Sequence, residues 1–196
     1  MTWDLLVMAP ATLDVRVLVR LVQQEPNYST KGRLMRVRIT KGIAVTTTGL
    51  LAGAFGYGAV NLGPTFWKVP LDMRLSFHAE LMKMNSPVML TAMGAAALSS
   101  LALALQTSGA ERRLAVGATA LTGVSFLVTR FGNVPINAQI KEWAVTSPPA
   151  DYIEILHRWD LFNRTRTTTA VVALVLLVIA QIGFSPRPTC ASTPSN

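Results

Sequence analysis

The sequence predicts an all-α integral membrane protein, an up-down bundle of four spans with an extra amphipathic helix before the last span. The 196 residues are 51% hydrophobic and only 14% charged, a composition unlike that of ordinary soluble proteins. Four apolar segments are long enough to cross roughly 30 Å of hydrocarbon at ~1.5 Å per residue. The connections between consecutive segments are short, and such connections favour antiparallel neighbouring helices.

The first 40 residues form an N-terminal extension that fits this bundle poorly. Leu13, Val17 and Leu21 would share one face of a helix, but the apolar alternation through the same stretch also suits a strand. Beside a membrane, an interfacial helix is the favoured interpretation. A start of translation at Met35 is an alternative, and it would leave a compact four-span protein.

The membrane domain covers residues 41–185. Its predicted spans are residues 43–62, 87–106, 114–131 and 167–184. In the first span, Gly49 and Gly53 are four residues apart, and small residues at this spacing let helix backbones approach closely in lipid. Residues 186–196 are rich in Pro, Ser and Thr, which predicts a disordered tail.

Basic residues indicate the orientation of the protein in the membrane. They precede the first span or occupy the second connection: Lys31, Arg33, Arg36, Arg38, Lys41, Arg112 and Arg113. By the positive-inside rule this face is cytoplasmic, so a multi-pass protein with both termini in the cytoplasm is predicted. The two longer connections, residues 63–86 and 132–166, then lie together on the opposite face.

An amphipathic helix is predicted to start at Ser147, just before two prolines, and to lead into the fourth span. Its apolar side chains recur at helical spacing and include Trp159 and Phe162. On one interpretation this stripe packs against the bundle, and Trp159 anchors the membrane interface. On the other, the aromatic side chains cover a pocket for a flat substrate.

Polar amides and arginines are concentrated where the third span ends and the fourth begins. Asn133 and Asn137 would share a helix face, but Pro135 between them is expected to kink or end the helix. Asn163 and Arg166 are suitable donors for the carbonyls that the proline would free. Such groups are costly near hydrocarbon, so they either form a closed network that joins two helix ends or bind a ligand.

The two histidines, His78 and His157, fall in the connections assigned to one face. Either imidazole could act as a base near neutral pH, or be a solvated loop residue. With Glu80, Glu154 or Asp160 nearby in sequence, a non-haem metal site is a minority alternative, because no compact ligand motif supports it. We therefore expect no metal here.

Several function classes are excluded by composition. The net charge of +8 flanks apolar spans instead of lining an aromatic groove, which argues against nucleic acid as a partner. The single cysteine, Cys190, rules out an intrachain disulfide. None of the predicted spans contains a histidine or a carboxylate, which argues against a haem bundle and against a proton-coupled exporter.

Two motifs at this polar edge resemble those of a known family. Asn133-Val-Pro-Ile-Asn137 and Trp159-Asp-Leu-Phe-Asn163-Arg-Thr-Arg166 are similar to motifs of the DUF1772 or anthrone oxygenase-like membrane proteins. The resemblance covers about residues 40–185, and the first span is compatible with it. It implies an oxygenase of secondary metabolism that turns polyketide anthrones into anthraquinones, with molecular oxygen as co-substrate and without metal or flavin.

The resemblance, together with residue type and location, suggests roles for particular side chains. The expected catalytic residues are His157 or His78 as base and Arg166 as partner of the substrate anion. The expected substrate-binding residues are Asn133, Asn137, Trp159, Phe162 and Asn163. The expected partners are therefore the lipid bilayer and a lipophilic aromatic small molecule. The alternative is a non-catalytic membrane protein that binds a lipophilic ligand or a partner at the same edge.

Overall fold

The computed structural model describes residues 26–183. The N-terminal stretch around Leu13 to Leu21 and the tail from residue 186 lie outside the described residues, so both predictions stay untested. The chain divides after Arg36 into two units, and the helix bundle belongs to the second unit. The elements in order are α1 (Pro26–Tyr57), a first π-helical segment (Gly58–Leu62), α2 (Gly63–Phe66), α3 (Leu71–Gln106), α4 (Gly109–Val128), a second π-helical segment (Thr129–Asn133), α5 (Val134–Trp143) and α6 (Tyr152–Gly183).

The fold class predicted from the sequence is confirmed. Four helical stretches are long and apolar enough to cross a membrane: Thr30–Phe66, Leu71–Gln106, Gly109–Trp143 and Tyr152–Gly183. The part of the chain that the structure describes contains no strand. The predicted amphipathic helix is the first part of α6 and runs without a break into the fourth span.

The helices are longer than the bilayer requires. A helix of 36 residues, such as α3, is about 54 Å long, whereas the hydrocarbon core is about 30 Å thick. Most of residues 63–86 and 132–166, predicted as connections, are therefore helical extensions of the spans. Residues 67–70, 107–108 and 144–151 are the non-helical connections between the four stretches.

Two predictions about helix ends are wrong. Ser147 is not a helix cap, because α6 begins only at Tyr152. Ser147 and Pro148 each precede a proline, and a residue in that position disfavours the α conformation. Pro135 does not end the third helical stretch, because the π-helical segment comes first and places Pro135 in the first turn of α5. There its missing N–H costs little.

Small residues pack the membrane half of the bundle. One cluster consists of Ala44, Leu103, Ala104, Ala115, Ala118, Ala173 and Leu177. A second, nearer the middle, consists of Leu51, Ala52, Phe55, Met93, Ala96 and Ala170. Alanine at most of these positions lets helix backbones approach closely, which is how helices pack in lipid.

The helical extensions have a separate core, which we call the extension core. It consists of Phe66, Leu75, Ile136, Ile140, Trp143, Leu156 and Trp159. Its residues are larger than those of the membrane half and include three aromatic side chains. The predicted site residues lie where this core meets the membrane half.

A buried ion pair joins three helices at the other end of the bundle. The Lys41 Nζ lies 3.1 Å from a carboxylate oxygen of Glu111, and both side chains are largely shielded. Lys41 also donates to the backbone oxygen of Ala180. Beside this pair, Thr40 donates to Gln106 over 3.2 Å.

Candidate functional site

The amide of Asn137 is the centre of the site. Its Oδ1 accepts a hydrogen bond of 2.8 Å from Trp159 Nε1 and lies 3.2 Å from His78 Nε2. An indole nitrogen only donates and an amide oxygen only accepts, so neutral His78 must carry its proton on Nε2. The lone pair of His78 is therefore on Nδ1, which is buried and has no hydrogen-bond partner in the structure.

Aromatic rings enclose His78. The imidazole stacks on Phe66 with ring centroids 5.1 Å apart, and its edge meets Trp159 at 4.8 Å. One turn earlier on α3, the guanidinium of Arg74 lies 4.2 Å from the ring centre of Trp67. His78 and Arg74 are both buried. His78 thus holds Asn137 and the two rings in place rather than facing solvent.

The second π-helical segment packs tightly against α6. Asn133 donates from Nδ2 to the backbone oxygen of Trp159 over 3.1 Å, and its side chain is fully buried. A Cβ at Gly132 would lie 2.6 Å from Cγ of Phe162. Phe162 therefore contributes to the packing of these two elements.

Arg166 and Asn163 form a second polar pair. The Nε and Nη2 atoms of Arg166 both donate to Asn163 Oδ1, over 3.1 and 2.8 Å. The guanidinium also lies 4.4 Å from the ring centre of Phe55. Within residues 26–183 no carboxylate forms an ion pair with Arg166. The amide nitrogen of Asn163 is buried without a hydrogen-bond partner.

Two cavities meet at Arg166. The first cavity, of about 390 Å³, is lined by Gly53, Ala54, Phe55, Tyr57, Gly58, Leu62, Phe66, Leu81, Met82, Asn85, Met89, Trp159, Asn163 and Arg166. The second cavity, of about 410 Å³, is lined by Met82, Asn85, Ser86, Met89, Leu90, Met93, Phe126, Thr129, Arg130, Val134, Asn137 and Arg166. Both volumes suit a small organic ligand. The cavities share Arg166, Asn85 and two methionines, so these side chains form the boundary between them.

The structure places four of the eight predicted site residues in the walls of the two cavities. His157 is exposed and stacks on Trp67 with ring centroids 4.4 Å apart. His157, His78, Asn133 and Phe162 line neither of the two cavities. The two histidines also contact different side chains, and no three metal-ligating residues cluster within residues 26–183.

Sequence reasoning missed Asn85 and Arg74. Asn85 lines both cavities. In the sequence it stands out only as an isolated amide side chain two residues before the predicted second span. Arg74 is 3% exposed and has two nitrogens without hydrogen-bond partners. Arg74 was not identified as a candidate because it lies in a predicted connection, and an arginine in a loop is ordinarily solvated.

Comparisons with known proteins concern the family of the chain. The family model for anthrone oxygenase matches residues 73–176, just over half of the chain. The match includes the second cavity in full and the α3 and α6 walls of the first. Neither the curated proteins nor the solved structures gave a significant match. Because the match covers more than half of the chain, this protein belongs to the anthrone oxygenase family.

Proposed function

We propose that this membrane oxygenase-like protein oxidises an anthrone-type polycyclic aromatic compound to a quinone, using molecular oxygen and no cofactor. The observation that carries the proposal is the guanidinium of Arg166. It is the one charged group in the lining of the mostly apolar first cavity and has no carboxylate partner among the described residues. A cation in such a place favours an anionic ligand.

The chemistry requires such an anion. The CH₂ group of an anthrone loses a proton, and the resulting enolate transfers an electron to O₂ and forms a carbon–oxygen bond with it. Protonation gives a hydroperoxide, which eliminates water and leaves a carbonyl group. The net reaction is anthrone plus O₂ to quinone plus water. Stabilisation of the enolate oxygen is the main contribution that a protein can make.

Arg166 and Asn163 are suited to that role. The carbonyl oxygen of Asn163 is held by Arg166, so its amide nitrogen is the group left to donate to a ligand. Phe55, Phe66 and Trp159 supply aromatic surface on the same cavity wall. The first cavity thus combines N–H donors, one positive charge and flat apolar surface, which match an aromatic enolate.

His78 is a positioning residue in this proposal. The lining of the first cavity includes no histidine or carboxylate, so the substrate proton would leave to water, and the protein would act by stabilising the conjugate base. His78 packs behind Phe66 and Trp159 and orients both rings. A role for His157 as base would require a substrate outside this cavity.

The test is the rate of quinone formation by purified protein with an anthrone in air-saturated buffer, measured by absorbance and corrected for the protein-free reaction. Arg166→Gln should lower the rate about 10²-fold, as for loss of one donor to a developing oxyanion. Arg164→Gln is the matched control, because Arg164 lies at the same end of α6 and lines neither cavity. A wild-type rate equal to the protein-free rate, or an unchanged rate for folded Arg166→Gln, would contradict the proposal.

A second candidate function is non-catalytic binding of a lipophilic ligand in the same cavity. The lack of a proton acceptor among its lining residues is the observation that favours it. Binding of an anthraquinone can be followed by quenching of Trp159 fluorescence. Saturable quenching without faster quinone formation would support this candidate over the oxygenase.

A further inference from the structure

The second cavity has a polar end and an apolar end. Arg130, Asn137 and Thr129 line it on the side of the helical extensions. Leu90, Met93 and Phe126 line it further into the membrane half, within the predicted second and third spans. The cavity therefore has the polarity of an amphiphile whose head lies at the membrane boundary.

The charged side chains that line the second cavity are all positive. Arg130 and Arg166 both contribute to it, and no aspartate or glutamate does. Asn137 adds a donor, because its Oδ1 already accepts from Trp159 and His78 and only its amide nitrogen remains. Two guanidinium groups and an amide N–H favour an anionic head group.

The mouth of the second cavity faces the hydrocarbon. Leu90 is 61% exposed and Phe126 is 41% exposed on the surface of the bundle, at the depth of the predicted spans. Side chains of this kind on a membrane helix contact lipid. A molecule that enters here comes from the bilayer rather than from water.

We propose that the second cavity binds an anionic lipid of the surrounding bilayer. Its head group contacts Arg130 and Arg166, and one acyl chain lies along Leu90, Met93 and Phe126. The charge of the lining selects anionic over zwitterionic lipids. The proposal does not rest on the proposed oxygenase activity, but Arg166 lines both cavities, so a head group bound here would compete with a substrate anion for that guanidinium.

The test uses a reporter in the cavity wall and phospholipids with brominated chains, which quench nearby tryptophans. Phe126→Trp protein in neutral detergent is titrated with brominated phosphatidylglycerol and, separately, with brominated phosphatidylcholine. Quenching should saturate at a low mole fraction of the anionic lipid only. Adding Arg130→Gln should raise the concentration required about tenfold, whereas Arg130→Lys should raise it less. Arg164→Gln, which changes an exposed arginine outside the cavity, should have no effect.

Three outcomes would overturn the proposal. Equal quenching by the two phospholipids would show that the charge of the head group is not recognised. Unchanged quenching in Arg130→Gln would show that lipid binding does not require the positive charge of Arg130. Quenching by brominated oleate but not by phosphatidylglycerol would assign the cavity to a free fatty acid. If Phe126→Trp does not fold, Leu90→Trp replaces it as reporter, because Leu90 lines the same cavity and is exposed at its mouth.

Discussion

Gly132→Ala is the sharpest single test of how the site is assembled. Gly132 lies in the second π-helical segment, directly against the ring of Phe162. An added Cβ would lie 2.6, 2.8 and 2.9 Å from three ring carbons, closer than a Cβ atom approaches the heavy atoms of another residue in real proteins. The ring is rigid and half-buried, so the two helices must separate. Overpacking of this kind costs about 1–3 kcal/mol.

For a chain of this length, that loss lowers the apparent melting temperature by about 2–12 °C. The assay is thermal unfolding of the detergent-solubilised protein at a fixed heating rate, because unfolding of such proteins is often irreversible. Gly123→Ala is the matched control on α4, since a Cβ there meets no atom within 4 Å. Alanine favours helix over glycine, so this control should be neutral or slightly stabilising.

We also expect a second substitution to restore stability to the Gly132→Ala variant. Phe162→Leu combined with Gly132→Ala should recover part of the lost stability, because a smaller, more flexible side chain can move away from the new methyl group. An unchanged melting temperature for Gly132→Ala would refute the close contact. Equal destabilisation by Gly132→Ala and Gly123→Ala would show that the effect belongs to the helix and not to Phe162.

Two further predictions concern the polar pairs. Asn163→Asp keeps an acceptor for Arg166, but it neutralises the charge of Arg166 and removes the free N–H of Asn163. The rate of quinone formation should therefore fall about 10²-fold, while the melting temperature stays equal or rises. An unchanged rate would contradict the role of Asn163. Lys41→Met should lower the free energy of unfolding by about 3–5 kcal/mol, because it leaves Glu111 buried and unpaired. Lys41→Met with Glu111→Gln should restore most of that stability, and a double variant as unstable as the single one would show that the charge of Glu111 is not the cause.

Much of the fold could be predicted because the bilayer imposes strong rules on sequence. Four apolar segments without a carboxylate and short connections were sufficient for the four-helix bundle. The lengths of the helices could not be predicted in the same way. Residues 71–86 carry charges, and hydropathy alone does not distinguish a solvated loop from a helix that continues beyond the lipid.

The sequence identified several side chains of the candidate site but not the contacts between them. Asn137, Trp159 and Arg166 were identified because polar groups are expensive at a membrane edge. Which atom contacts which could not be predicted, because it depends on the register of two helices. The π-helical segment before Pro135 sets that register, and a local rule for proline predicts only a break. His78 was interpreted as a base or a solvated loop residue, whereas in the structure it is buried beside the amide of Asn137.

The three asparagines divide between supporting the fold and facing a ligand. Asn133 uses its amide nitrogen on a backbone carbonyl, and its Oδ1 is buried without a partner. Asn137 and Asn163 do the reverse, since protein donors occupy their oxygens. An unsatisfied buried polar group costs about 1–3 kcal/mol, so a ligand or water that accepts from the buried amide nitrogen of Asn163 would offset that cost. Both amides line cavities that Arg166 also lines. The hydrogen bonds that join the helices therefore leave the N–H groups of these two amides for a ligand beside the charge of Arg166, and this combination favours an anion.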